Sequence, residues 1–114
     1  MNKNQSITIQ FIKGRNEEVL PEIRLNRDRK SGKAIYKFRN PTSISAKNFE
    51  NVQKMYLIDK EGELSTRKVN IYILNNNSIE IESIYSWNSD MDFKRFMRFA
   101  KRYASFNNLT SEEN

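Results

Sequence analysis

The 114-residue sequence has no cysteine, no histidine, only three glycines and only two prolines. Without cysteine there are no disulfides, thiol nucleophiles or zinc–thiolate sites. Without histidine the usual general base and the commonest transition-metal ligand are missing. The glycines, Gly14, Gly32 and Gly62, are scattered and form no phosphate-cradling loop. No apolar run approaches the roughly 18 to 20 residues needed to span a bilayer. Residues 1–6 have no apolar core for export, so the protein is expected to work in the compartment where it is made. Together these absences predict a non-catalytic module with neither cofactor nor metal.

What is present is enough to fold. Apolar residues make up 37% of the chain and aromatics 11%, too many for a disordered polymer. A chain of this size buries about two-thirds of the surface it would expose unfolded. The expectation is one domain over residues 1–114, with residues 1–6 and 107–114 fraying. The net charge is +6, and it is unevenly spread: residues 1–40 hold ten basic and four acidic side chains, whereas residues 41–114 hold ten of each. Arg15, Arg24, Arg27 and Arg29 carry much of that excess. Such a field favours an acidic partner.

Hydrophobic alternation predicts strands over residues 7–11 and 19–25. A turn over residues 26–33 then leads into a strand over 34–38, on which Ala34, Tyr36 and Phe38 share a face. Asn40-Pro41 ends that hairpin, because proline cannot donate to a ladder. Residues 42–50 read as an irregular connection, 52–59 as a strand, 60–63 as a turn and 64–74 as one long strand. If Val69, Ile71 and Ile73 are to face the same way as Ile79, Ile81 and Tyr85, residue 73 must oppose 79. The loop is then Asn75-Asn76-Asn77, and asparagine tolerates the left-handed conformation such a loop requires. Ser89 caps a helix with Asp92 three positions on. At ~100° per residue, Phe93, Phe96, Met97, Ala100, Tyr103 and Ala104 form an apolar arc, and Lys94, Arg95, Arg98, Lys101 and Arg102 a basic one. The fold class is therefore α+β: an antiparallel sheet of about five to six strands with a C-terminal amphipathic helix packed on one face.

Chemistry-bearing patterns fail on inspection. Asp59, Glu61 and Glu63 alternate as cation ligands would, but the turn glycine stands fourth rather than sixth and position twelve is Asn70, so a solvated hairpin tip is expected. Glu80 and Glu82 share a strand face, yet nothing beside them would raise either pKa. A small basic β-rich nucleic-acid-binding module is the alternative reading. It is weakened by these same carboxylates and by the lack of a dense aromatic run on the strands.

Four separated stretches carry a more specific signal: residues 9–18 (IQFIKGRNEE), 21–27 (PEIRLNR), 55–63 (MYLIDKEGE) and 96–104 (FMRFAKRYA). In this order the sequence resembles the photosystem II reaction-centre 13 kDa protein family, Psb-twenty-eight, of cyanobacteria and plastids. The resemblance covers residues 7–104. It departs from the common pattern at Ala100 and Lys101, where Met and Glu are frequent, at Phe93, where Trp is usual, and at residues 75–77, where the hairpin usually contains Gly. The resemblance implies an assembly or repair factor, not an enzyme, with no cofactor. It would bind transiently to the cytoplasmic or stromal face of photosystem II intermediates, touching the inner antenna protein and reaction-centre core proteins. It would be peripheral to the thylakoid membrane, monomeric and without nucleic acid, and would dock by strand addition. Candidate partner-binding residues are Arg15, Arg24, Arg27, Arg29, Lys94, Arg95, Arg98, Lys101 and Arg102.

Overall fold

A computed structural model of the chain describes residues 7–28 and 30–109. Among these residues eight strands precede one helix: β1 (Thr8–Ile12), β2 (Arg15–Asn16), β3 (Glu22–Asp28), β4 (Ser31–Arg39), β5 (Met55–Asp59), β6 (Gly62–Thr66), β7 (Val69–Ile73), β8 (Ile79–Trp87) and α1 (Asp90–Phe106), with a short 3-10 turn at Phe49–Asn51. The strands form two antiparallel sheets of four, in the orders β2-β1-β5-β6 and β3-β4-β8-β7. The α+β class with antiparallel strands and a C-terminal helix holds. The strands divide between two sheets, however, instead of forming one sheet of five to six.

The division occurs at Arg67 and Lys68. Alternation over residues 64–74 predicts a single strand, but β6 pairs with β5 whereas β7 pairs with β8. Strand β8 holds the corner: Thr66 Oγ1 donates to the Ile84 carbonyl at 2.7 Å, and the Ile84 N–H donates to the Lys68 carbonyl at 3.0 Å. Alternation reports extended backbone and says nothing about which neighbour that backbone joins.

The hairpins are tighter than polarity suggests. The β3–β4 ladder continues to Asp28 opposite Ser31, so the expected turn over 26–33 shrinks to two residues, of which Arg29 lies outside the described residues. The strand expected over 19–25 begins at Glu22 and runs to Asp28. The β7–β8 register is as expected, with Ile73 opposite Ile79, Tyr72 opposite Glu80 and Asn70 opposite Glu82. Asn77 takes the left-handed conformation, φ 67°. Strand β2, which alternation does not reveal, is held by the Gln10 side chain: its Oε1 accepts from the Gly14 N–H at 2.9 Å and its Nε2 donates to Asn16 Oδ1 at 2.8 Å.

One apolar cluster joins everything. Ile9 and Phe11 of β1, Met55 and Leu57 of β5, Ala34, Tyr36 and Phe38 of β4, and Ile79 and Ile81 of β8 meet Phe96, Phe99 and Tyr103 of the helix. Phe11 packs edge-on against Phe38 at 4.9 Å, linking the two sheets. Phe96 stacks on Tyr85 and Trp87 at 5.3 and 5.2 Å. Each such side chain contributes about 1.5 to 3 kcal/mol by burial. Phe99, outside the apolar arc read from the sequence, is also fully buried, so the helix is covered over a wider stripe than that arc. Ser89 Oγ accepts from the Asp92 N–H at 3.1 Å, as the cap pattern predicts. At the other end Asn108, φ 58°, lets the Leu109 N–H reach the Ala104 carbonyl at 2.8 Å. Residues 107–109 thus close the helix in a Schellman arrangement. The remainder of the expected frayed ends, 1–6 and 110–114, lies outside the described residues.

Candidate docking surface

The basic arc of the helix separates into two kinds of side chain. Arg95 grips Asp59 with both ends of its guanidinium, at 3.0 and 2.8 Å. Arg102 reaches Asp59 at 2.9 Å and Glu61 at 2.6 Å, and Arg98 holds Glu61 through two bonds of 2.7 and 2.9 Å. The Asp59 side chain is wholly shielded from solvent. Burial raises its pKa, but the hydrogen bonds from Arg95 and Arg102 outweigh that and hold it below the ordinary value. Arg98 and Arg102 hold the Glu61 carboxyl at about 2. The β5–β6 tip is therefore no solvated turn: Asp59 and Glu61 form the clamp that seats the helix. Glu63 turns away to Lys13, at 2.8 Å. Among the described residues no three potential metal ligands come together.

The residue types mark this split. The three arginines, at spacings of three and four, are paired, because a planar fork matches a carboxylate. The two lysines, Lys94 and Lys101, have no carboxylate partner among the described residues. They flank a groove of about 390 Å³ floored by Phe93 and Met97 and bordered by Arg98.

The candidates in the first third do not form one patch. Arg15 lies on β2, an edge of one sheet, and Arg24 and Arg27 lie on β3, an edge of the other. Arg27 is drawn inward: its guanidinium sits 3.9 Å from the centre of the Phe93 ring and 3.5 Å from Asp90, tying the hairpin to the start of the helix. Arg24 and Arg15 are exposed and without an ion pair among the described residues. Of Arg29 the structure gives no description.

Strand β3 is exposed along its whole length. Its outer side has no backbone partner among the described residues. Ile23 and Leu25 pair with Tyr36 and Ala34, so they lie on the core face of the sheet, yet they remain 38% and 49% exposed. They project beyond the last strand that could cover them. Such an edge is a template for another chain.

A residue that sequence patterning passes over fixes this edge in place. Glu17, 5% exposed, accepts five hydrogen bonds. Its Oε2 takes the N–H groups of Val19 and Thr42, each at 2.8 Å, and the Thr42 hydroxyl at 3.0 Å. Its Oε1 takes the Ser43 N–H at 2.9 Å and the Ser43 hydroxyl at 2.6 Å. Burial pushes the Glu17 carboxyl up, but the hydrogen bonds from Ser43, Thr42 and Val19 together bring it below the usual range. Residues 17–19 lead into β3 and residues 42–43 follow β4, so this carboxylate clasps both ends of the hairpin. The available signal was Thr42-Ser43 behind Pro41, two short hydroxyl side chains in an irregular segment, but nothing local pairs them with a residue 25 positions away.

The family described as Psb28 protein matches residues 9–111. A relative from Prochlorococcus marinus (strain NATL1A), named photosystem II reaction center Psb28 protein, is 54% identical over 104 residues, covering 90% of this chain and 92% of its own length. One of the same name from Synechococcus sp. (strain CC9605) is 45% identical, covering 89% of this chain and 81% of its own. Another, from Prochlorococcus marinus (strain MIT 9312), is 42% identical over 99% of this chain and 98% of its own.

Proposed function

The chain belongs to the Psb28 protein family, and from that premise we propose that it is a non-catalytic assembly or repair factor for photosystem II. It binds transiently to the cytoplasmic or stromal face of photosystem II intermediates, as a monomer peripheral to the thylakoid membrane. It docks by accepting a strand from an antenna or reaction-centre segment along the outer edge of β3. The observation that carries this reading is the open β3 edge, whose core-facing Ile23 and Leu25 still lack cover. One added strand would pair the free backbone groups and shield both side chains, giving affinity through the main chain and selectivity through the pockets between them. Arg24, on the same strand, adds an exposed cation that favours an acidic approach. The names of the relatives support the setting. No helix among the described residues is long and apolar enough to cross a membrane, which agrees with a peripheral role.

The test is affinity recovery from solubilised thylakoids with the full chain and with Leu25→Lys. Leu25 is half exposed, so the charge costs little stability, but a lysine on the core-facing side of an edge strand opposes strand addition. The unaltered protein is expected to recover chlorophyll-bearing intermediates, and Leu25→Lys to lose most of that recovery. Recovery of only the mature oxygen-evolving complex would refute the assembly role. Undiminished recovery by Leu25→Lys would refute the β3 edge as the docking site.

A further inference from the structure

The helix surface carries a second recognition feature beside the β3 edge, whose Arg27 sits 3.9 Å from the centre of the Phe93 ring. Lys94 and Lys101 have no carboxylate partner among the described residues, whereas Arg95, Arg98 and Arg102 on the same helix are engaged by Asp59 and Glu61. Between the two lysines lies the groove of about 390 Å³, floored by the half-buried Phe93 and Met97. That volume falls within the range of roughly 300 to 1,000 Å³ typical of ligand clefts. Among the described residues no carboxylate lines it. We propose that this groove is a docking site for an acidic peptide segment of a partner protein: one apolar side chain of the segment enters between Phe93 and Met97 while flanking carboxylates meet Lys94 and Lys101.

The shape selects a peptide over a lipid surface. An interfacial helix presents apolar side chains that project past its cations into the acyl region. Here Phe93 and Met97 are half-buried whereas Lys94, Arg98 and Lys101 are exposed, so a flat anionic surface would meet the cations before the apolar pair. Of the exposed apolar side chains on this helix, Met91, 78% exposed, stands between Asp90 and Asp92, which an anionic bilayer repels, and Phe106, 58% exposed, lies in the last turn, outside the groove. A protruding side chain flanked by carboxylates satisfies floor and rim together, and the unpaired lysines steer its approach.

The proposal extends the partner-binding reading above by giving two helix cations a defined occupant, and its test uses no photosystem II, so each can fail alone. The isotope-labelled full chain is titrated with a panel of short glutamate-rich peptides, each carrying one central leucine, phenylalanine or methionine, and followed by NMR amide shifts. The expected result is shifts centred on residues 93–101, with affinity falling about tenfold for the Lys94→Glu/Lys101→Glu double variant and for peptides whose central residue is alanine. Lys47→Glu, the same charge reversal at an exposed lysine outside the groove lining, is expected to leave that affinity unchanged. Shifts confined to other surfaces, equal binding of lysine-for-glutamate peptides, or no binding by any peptide of the panel would overturn the proposal. So would phosphatidylglycerol vesicles shifting residues 93–101 where the peptides do not.

Discussion

Replacing Glu17 by glutamine isolates the value of the clasp that holds the β3–β4 hairpin. The change keeps the size and shape of the side chain but turns one acceptor oxygen into a donor. Oε2 accepts three hydrogen bonds and Oε1 two, so the least costly amide orientation points its nitrogen at Ser43. The Ser43 hydroxyl can rotate to accept, but the Ser43 N–H loses its acceptor and faces another donor. An orphaned buried donor costs about 1 to 3 kcal/mol, and the three remaining bonds lose the charge assistance that makes bonds to ionised groups roughly twice as strong. The expected loss is about 2 to 4 kcal/mol, a large fraction of the stability of a small domain. The assay is urea denaturation at pH 7 followed by the fluorescence of Trp87, the sole tryptophan and 2% exposed. The midpoint should fall with little change in slope, since the core is untouched. Glu18→Gln is the control: Glu18 is exposed, and its substitution should cost under about 0.5 kcal/mol. If Glu17→Gln matched that control, the clasp would not be what holds the hairpin.

Three further outcomes follow from the same geometry. Asp59→Asn breaks the shielded bidentate pair with Arg95 and the bond to Arg102; breaking a buried pair costs ~3 to 5 kcal/mol, and the partial exposure of both guanidiniums places the loss at the lower end, readable as a lowered urea midpoint. Gly32→Ala would set a Cβ 2.6 Å from the Asn26 carbonyl oxygen and 2.7 Å from Trp87 Cζ2, so it should destabilise by about 1 to 3 kcal/mol and shift the Trp87 emission, whereas unchanged stability and emission would deny the close packing. Acid should weaken the fold: the carboxyls of Glu17, Asp59 and Glu61 sit below their unfolded values, so the unfolded chain binds protons first. Their contribution is complete above the ordinary carboxylate range of about 4 and is lost as pH falls towards the folded values, about 2 for Glu61. Urea midpoints at pH 7, 4 and 3 should therefore decline in that order, and Glu17→Gln should decline less steeply.

The elements governed by neighbours a few residues away were legible. Burial of Ala34, Tyr36 and Phe38 follows from alternation, the pairing of Ile73 with Ile79 follows from the need to keep one face dry, and the left-handed Asn77 follows from that register. The Ser89 cap is equally local. Boundaries defined by a ladder and not by hydrophobicity were less so. β3 continues through Asn26, Arg27 and Asp28, opposite Lys33, Gly32 and Ser31 of β4, because each backbone has a partner there, whatever the side chains suggest.

Residue type and spacing sufficed for the class of the fold, the register of its last hairpin, most of the face the helix turns inward, the lack of thiol and imidazole chemistry and, through four spaced stretches, the family. Each of these depends on residue type, on spacing within one element, or on a pattern borne by the whole chain. It took the folded chain to show that residues 62–73 serve two sheets, that β3 is left as an open edge, that Glu17 closes on Thr42 and Ser43, and that Arg95, Arg98 and Arg102 are engaged while Lys94 and Lys101 have no carboxylate partner among the described residues. Those outcomes join groups 18 to 43 residues apart. Periodicity carries no record of such distances, because an arginine bound to a buried carboxylate and one reaching into water occupy the same helical arc. What separates them is the geometry of a guanidinium meeting a carboxylate, which exists only once the chain has folded.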